Sequence, residues 1–242
     1  MTISLEARIA TLDWAALTKA LDAEGWARGP RLLTPEECAE TAALFDRGAE
    51  NGSGGFRSHV VMQRHGYGQG EYRYFAYPLP PLVTALRQGL YPRLAPLANR
   101  WHAAMGLEAD FPAGHEAYAA RCHAAGQRRP TPLLLRYGPG DYNRLHQDRY
   151  GALMFPIQAV ILLSRPGTDF TGGELVLTEQ RPRMQSRAQV VPLQQGELAL
   201  FAVSERPRQG TRGTFRVTMR HGVSTVWQGE RHTLGVIFHD AA

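Results

Sequence analysis

Between Leu133 and His239 the chain passes through eight short apolar segments, each separated from the next by Gly, Pro, Asp or Thr. They are Leu133–Tyr137, Leu145–Gly151, Pro156–Ser164, Glu174–Leu177, Val190–Pro192, Glu197–Val203, Phe215–Val223 and Arg231–His239. Segments so short and so regularly interrupted predict strands. Eight strands with turn signals between them predict two stacked antiparallel sheets, the double-stranded β-helix or jelly roll. The first half of the chain reads differently. Asp13 caps a helix through Leu17 and Leu21 that stops at Gly25. Thr34-Pro35-Glu36-Glu37 is a capping box with proline in the first turn, opening a helix to about Phe45. Asn51–Gly55 is a loop, and Phe56–Met62 and Glu71–Tyr77 predict a hairpin turning at Gly66–Gly70. Leu82–Met105 predicts a helix interrupted at Pro92 and Pro96, and Gly114–Ala125 a further helix. The expected architecture is mainly β, a single domain over 1–242 with N-terminal helices and a hairpin lid in 1–130 and a jelly-roll core in 131–242.

With 43% hydrophobic and 20% charged residues in 242, the chain can bury a sizeable core. No apolar run approaches the ~18–20 residues that cross a bilayer. Met1–Trp26 lacks the basic, apolar and small-residue regions of a secretory signal. Cys38 and Cys122, only two and far apart, make neither a disulfide framework nor a zinc site, and two reduced thiols suit the cytoplasm. A net charge of +5 hints at a polyanionic partner, and Lys19 is the sole lysine, so nearly every cation is arginine. Arginine suits forked recognition of carboxylate or phosphate, although the biased codon usage of a GC-rich genome is the better account of the bulk excess.

His146 and Asp148 stand two positions apart in RYGPGDYNRLHQD, Arg136–Asp148. On a strand such side chains share a face, so an imidazole and a carboxylate converge on one point. That pair supplies two of the three ligands of a 2-His-1-carboxylate iron(II) site, which leaves coordination positions open. The third must be a histidine from a later strand. His221 ends an apolar strand just before Gly222, with His239 as its rival. His102, His115 and His123 lie in helical, alanine-rich stretches expected at the surface. Spacing favours His221: ten residues on comes Arg231, with Thr233 on the same face. An arginine and a hydroxyl together hold a carboxylate, whereas too little chain follows His239 to build such a pocket.

This order of elements resembles the Fe(II)/2-oxoglutarate-dependent oxygenase superfamily, with GGE in Asp169–Glu174 and GELALF at Gly196–Phe201 similar to its core strands. Arg136–Asp148 is similar to the AlkB-type alkylated-base dioxygenases, whose motif reads R-Y-x-P-G and, at the same interval, L-H-Q-D. The runs LHQDRYG, FPIQ, LLSRPGTDFTGGE and HTLGVIFHDA also resemble a bacterial oxygenase family predicted to demethylate damaged nucleic-acid bases. The likeness implies Fe(II) held by His146, Asp148 and His221, with O2 and 2-oxoglutarate as co-substrates. Tyr137 would hydrogen-bond the 2-oxoglutarate, and Arg231, beside Thr233, would pair with its distal carboxylate. The implied reaction decarboxylates 2-oxoglutarate to succinate and hydroxylates a substrate C–H. On an N-methyl carbon the product is a hemiaminal that releases formaldehyde, hence oxidative demethylation of alkylated bases in DNA or RNA. Two positions depart from the AlkB type: its asparagine two residues before the tyrosine is Leu135 here, and its base-handling arginine is Ile237. The likeness therefore does not extend to substrate recognition. Gln147 and Glu174 are candidates to orient the ligands.

The hairpin Phe56–Phe75 is the expected substrate surface. It combines Arg64, His65, Tyr67, Tyr72, Arg73, Tyr74 and Phe75, cations beside the stacking faces an extruded base needs. Alternating aromatics are equally what a buried strand carries. Arg181, Arg183, Arg187, Arg206, Arg208 and Arg212 form two basic loops able to meet phosphates. The expected partner is single-stranded or damaged nucleic acid, with no membrane and no inferable protein partner. The alternatives are a protein (prolyl-type) or small-molecule hydroxylase using the same chemistry, and a jelly-roll binding module without catalysis. A binding module has no need of three iron ligands and a co-substrate clamp.

Overall fold

In the computed structural model, which describes residues 3–50, 55–211 and 213–242, the helix caps close as their chemistry requires. Following α1 (Leu5–Ala10), α2 (Trp14–Glu24) begins where the Asp13 carboxylate accepts the Ala16 N–H at 2.9 Å. It ends at Gly25 in the left-handed region, φ +79. The capping box of α3 (Pro35–Glu50) is reciprocal: Thr34 Oγ1 accepts from the Glu37 N–H at 3.2 Å, and the Glu37 carboxylate accepts from the Thr34 N–H at 2.8 Å. α3 runs past its expected end at Phe45. Helix α4 (Pro81–Ala104) is continuous, with Pro92 and Pro96 inside it rather than interrupting it. Each proline removes one helical hydrogen bond. Burial of Leu86, Leu90, Leu94, Leu97 and Trp101 along the same helix outweighs that loss. α5 (His115–Ala124) covers the last residues of the chain, so His115 is buried instead of exposed, its Nε2 2.9 Å from the Phe238 carbonyl. His123 and His102 are half-buried, against Asp240 and the Glu108 carbonyl.

The strands form two facing sheets. The larger runs β1 (Trp26–Arg31), β11 (Glu197–Ala202), β7 (Ile157–Leu162), β15 (Arg231–Val236), β5 (Leu133–Tyr137), β4 (Glu71–Phe75), β2 (Phe56–Val61). The smaller runs β10 (Arg187–Val191), β9 (Leu175–Gln180), β13 (Gly213–Val223), β6 (Tyr142–His146), β3 (Gly68–Gln69), and β12 (Glu205–Gly210) folds onto the outer half of β13. β14 (Val226–Gly229) pairs with β8 (Phe170–Gly172) beside them. All the pairings between these strands are antiparallel, as a jelly roll requires. β1 and β12 were not expected: WARGPR and ERPRQG carry proline, the second within an expected basic loop, and both are edge strands, where a missing N–H costs no ladder bond.

β11 displays the layering. Leu198 and Leu200 face the helices with Leu21, Leu90 and Trp101, while Ala199 and Phe201 face the smaller sheet with Leu177 and Val191. With both faces buried, the strand reads as a continuous apolar run. The β2–β4 hairpin joins the two sheets, because β4 pairs with β5 while Gly68 and Gln69 pair with β6. Of the loop expected at Asn51–Gly55, all but Gly55 lies outside the described residues. Among the described residues no helix is long and apolar enough to cross a membrane.

Candidate active site

The strand bearing the histidine is Tyr142–His146, not Leu145–Gly151, so Asp148 lies just beyond its end. A bulge accounts for the difference. His221 stands opposite His146 and Val223 opposite Asn143, so β6 carries one residue more than β13 across that interval. The extra residue turns both Asn143 and His146 into the cavity and leaves Arg144 and Leu145 exposed. Opposite the bulge only glycine fits, since a Cβ on Gly222 would stand 2.6 Å from the Asn143 carbonyl oxygen.

His146 and His221 are thus a cross-strand pair, ring centroids 4.2 Å apart, and Asp148 reaches both. Its Oδ1 is 3.5 Å from His146 Nε2 and its Oδ2 3.3 Å from His221 Nε2. The three ligand atoms lie within 4.8 Å of one another. The set fits a divalent metal: His146 Nδ1 lies 2.7 Å from the Arg144 carbonyl, which places the ring proton there and leaves the Nε2 lone pair free. Burial would raise the Asp148 carboxyl, but the His221 and His146 imidazoles outweigh it and hold the group well below the usual carboxylate range. Burial, with His146 alongside, lowers His221. Each carboxylate oxygen also has a second partner. Oδ1 accepts from the Tyr150 hydroxyl at 2.7 Å and Oδ2 from Gln158 Nε2 at 2.9 Å, and Tyr74 donates to Tyr150 at 2.9 Å.

At the other end of the same cavity, about 520 Å³ in volume, is Arg231. It opens β15 opposite Tyr137 of β5 and is 3% exposed. Its Nε and Nη1 are buried without a hydrogen-bond partner, and its neighbours are the rings of Tyr137 and Phe170, 5.5 and 5.9 Å away. Burial pushes the guanidinium down to about 10. A buried cation with no counter-ion is costly, so the pocket is shaped for an anion. Thr233 lines the same cavity, and the buried Tyr137 hydroxyl accepts from Asn143 Nδ2 at 3.4 Å. Gly173 of the GGE run passes so close that a Cβ there would meet Arg231 Cδ at 2.9 Å.

The hairpin residues divide by strand alternation. Tyr72 and Tyr74 line the cavity, whereas Arg73 packs over Phe45 at 4.9 Å and Phe75 stacks on Phe56 at 4.8 Å, both on the helical side. Arg64 is exposed on the turn Met62–His65 and does not line the cavity. Gln147 and Glu174 do not hold the ligands: Gln147 donates to the Met219 carbonyl, and exposed Glu174 bonds Ser224. Tyr150 and Gln158 hold Asp148 instead. Gln158 could have been found as the one polar residue in the buried strand IQAVIL, and Tyr150 as the hydroxyl two places beyond the aspartate. His239 lies apart from the ligands, its Nδ1 accepting from the Phe155 N–H at 3.2 Å. Among the described arginines of the basic loops, Arg206 is buried, Arg181 and Arg208 are half-buried, and Arg183 and Arg187 are exposed. Arg206 is 0% exposed, and with Arg208 and Arg181 it surrounds Glu179 at 2.5, 2.5 and 3.3 Å, so the three share one carboxylate within the fold. Arg187 reaches Glu24 at 3.6 Å, Arg183 is exposed, and Arg212 lies outside the described residues.

The model of the Oxygenase-NA family, described as an oxygenase catalysing oxidative methylation of damaged DNA, matches residues 70–241. An uncharacterised protein of Mycobacterium tuberculosis (strain ATCC 25618 / H37Rv) is 51% identical over 168 residues, which span 69% of this chain and 72% of that protein. An oxidoreductase of the 2OG-Fe(II) oxygenase family from Burkholderia pseudomallei has a similar structure, with TM-score 0.52 at 18% identity over 95% of this chain and 93% of that one. A prolyl hydroxylase from Trichoplax adhaerens, solved with a hypoxia inducible factor peptide fragment, gives 0.55 at 14% identity over 98% and 92%. At such identities the two structures share the fold.

Proposed function

The chain belongs to the Oxygenase-NA family and is an Fe(II)- and 2-oxoglutarate-dependent dioxygenase, and we propose that it oxidatively demethylates alkylated bases in DNA or RNA. The observation that carries this reading is one cavity with three metal-ligating side chains at one end, a buried unpaired arginine at the other and tyrosines along its wall. Bound Fe(II), with 2-oxoglutarate and O2, supplies the oxidising power for C–H hydroxylation.

The protein's own residues bind, orient and shield. His146, Asp148 and His221 would hold the metal, and Tyr150 and Gln158 fix the carboxylate. Arg231 pairs with the distal carboxylate of 2-oxoglutarate, with Thr233 and Tyr137 as hydroxyl partners. Tyr72 and Tyr74 offer stacking faces to a base turned into the cavity, and Leu135 and Ile237 exclude water around it. The apolar cluster that runs from Ile9 to Phe238 supports one catalytic domain over 1–242. Two free, buried thiols suit a cytoplasmic repair enzyme.

The deciding experiment measures succinate and formaldehyde release across methylated oligonucleotides, peptides and metabolites. Methylated oligonucleotides are expected to support release, with Asp148→Ala abolishing it. Turnover confined to peptides would reassign the cavity to a prolyl-type substrate, and release unchanged in Asp148→Ala would reject the metal site.

A further inference from the structure

The mouth of the cavity carries a surface that the base-binding reading leaves unused. The β6 bulge turns Arg144 and Leu145 outward there, and Arg149 stands on the same rim, one place past Asp148. Leu145 is 48% exposed, and both arginines are exposed. Next to them Tyr67 is 51% exposed, its ring stacked on His65 with centroids 5.3 Å apart. The bulge and this turn are tied together, since the Arg144 N–H donates to the Tyr67 carbonyl at 2.9 Å. Some exposed arginines have carboxylates beside them, as Arg100 has Asp22, Arg121 has Asp110 and Arg165 has Asp169, while others such as Arg93 and Arg220 stand alone among the described residues but away from the cavity. Among the described residues Arg144 and Arg149 have no such ion pair.

We propose that this rim grips single-stranded nucleic acid, with Arg144 and Arg149 on the phosphates flanking the nucleotide whose base enters the cavity. The proposal rests on the base reading above. Guanidinium groups suit phosphate through paired N–H donors. Tyr67, already stacked on His65, presents a ring face to a neighbouring base, and Leu145 gives an apolar contact beside the gap that an extruded base leaves. An acidic peptide would neutralise the arginines but give the stacked rings no counterpart. The bulge then has two roles, aiming His146 at the metal and the residues beside it at the strand.

The test is fluorescence polarisation of a labelled, unmodified single-stranded oligonucleotide against the full chain loaded with Mn(II) and 2-oxoglutarate, at several salt concentrations. At about 50 mM salt, the Arg144→Ala/Arg149→Ala double variant is expected to bind roughly tenfold more weakly than the wild type. The slope of log K against log salt should flatten by about 1.4, at ~0.7 for each lost phosphate contact. Arg93→Ala, an exposed arginine on α4, should keep the wild-type slope, and the Mn(II) affinity of the double variant checks that its site is folded. Wild-type affinity and slope in a folded double variant overturn the grip. If that protein's parent still releases formaldehyde from methylated oligonucleotides, the base reading survives. No binding of any oligonucleotide by the wild type overturns both, and capture of an acidic peptide in its place assigns the mouth to a protein substrate.

Discussion

At the scale of single residues, the site is governed by what holds Asp148. Tyr150 donates to one of its oxygens and Gln158 to the other, so the carboxylate cannot rotate freely between the imidazoles. Partners of this kind typically change metal affinity 10–100-fold. Tyr150→Phe keeps the ring and removes only the hydroxyl, so Co(II) affinity, read by titrating the visible absorption of the bound ion, should fall roughly tenfold. Because the Tyr74 hydroxyl loses its acceptor as well, the metal-free protein should also melt somewhat lower, losing the ~1–3 kcal/mol that a buried donor left unpaired costs. Unchanged Co(II) affinity would reduce Tyr150 to packing. His146, Asp148, His221 and Arg231 were legible in the sequence because the chemistry demands fixed residue types at short or ordered spacings. Tyr150 and Gln158 were not singled out, because their role depends on which strand ends meet across the cavity. The same blindness affected the arginine loops: Arg206 looks like a surface cation until β12 is seen to carry it to Glu179 on β9, with β13 between them.

Among the elements, those whose signals are local could be read directly. The caps of α2 and α3 act within three residues of themselves, and both close as expected. The edge strands that carry proline could not be read, since β1 and β12 tolerate it because one side of each goes unpaired. The boundary of β6 moved because its bulge depends on β13, far along the chain. That dependence is testable at Gly222. In Gly222→Ala the new methyl would press on the Asn143 carbonyl and the bulged backbone. Such overpacking costs about 1–3 kcal/mol. The variant should melt lower and also lose metal affinity, because β6 cannot shift without displacing His146. A variant that melts lower yet binds metal as the wild type does would uncouple the bulge from the site. The hairpin shows how far alternation reaches: Tyr72 and Tyr74 go to the cavity and Arg73 and Phe75 to the helices.

For the molecule as a whole, two buried histidines outside the metal site contribute a pH dependence. Burial, with Arg87 adding to it, lowers both His115 and His239 from 6.5 to about 4. Above pH 6.5 both are neutral whether the chain is folded or not, and stability is full. As pH falls, the unfolded chain takes up protons that the folded one refuses until about pH 4, so stability declines across that interval. The loss is on the order of 3 kcal/mol for each histidine once the lower value is passed. Thermal melts from pH 7.5 down to 4.5 should therefore show a steadily falling midpoint, and a flat profile would contradict the assignment. One further consequence comes from the hairpin that belongs to both sheets. Its grip on the larger sheet runs along four facing residues, Glu71 to Tyr74, but its grip on the smaller one is shorter, Gly68 against Asn143, Gln69 against Tyr142 and the Tyr67 carbonyl accepting from the Arg144 N–H. A bulky guest prying at the entrance meets the weaker seam first, so the sandwich would part beside Tyr67, like a book whose spine is β4.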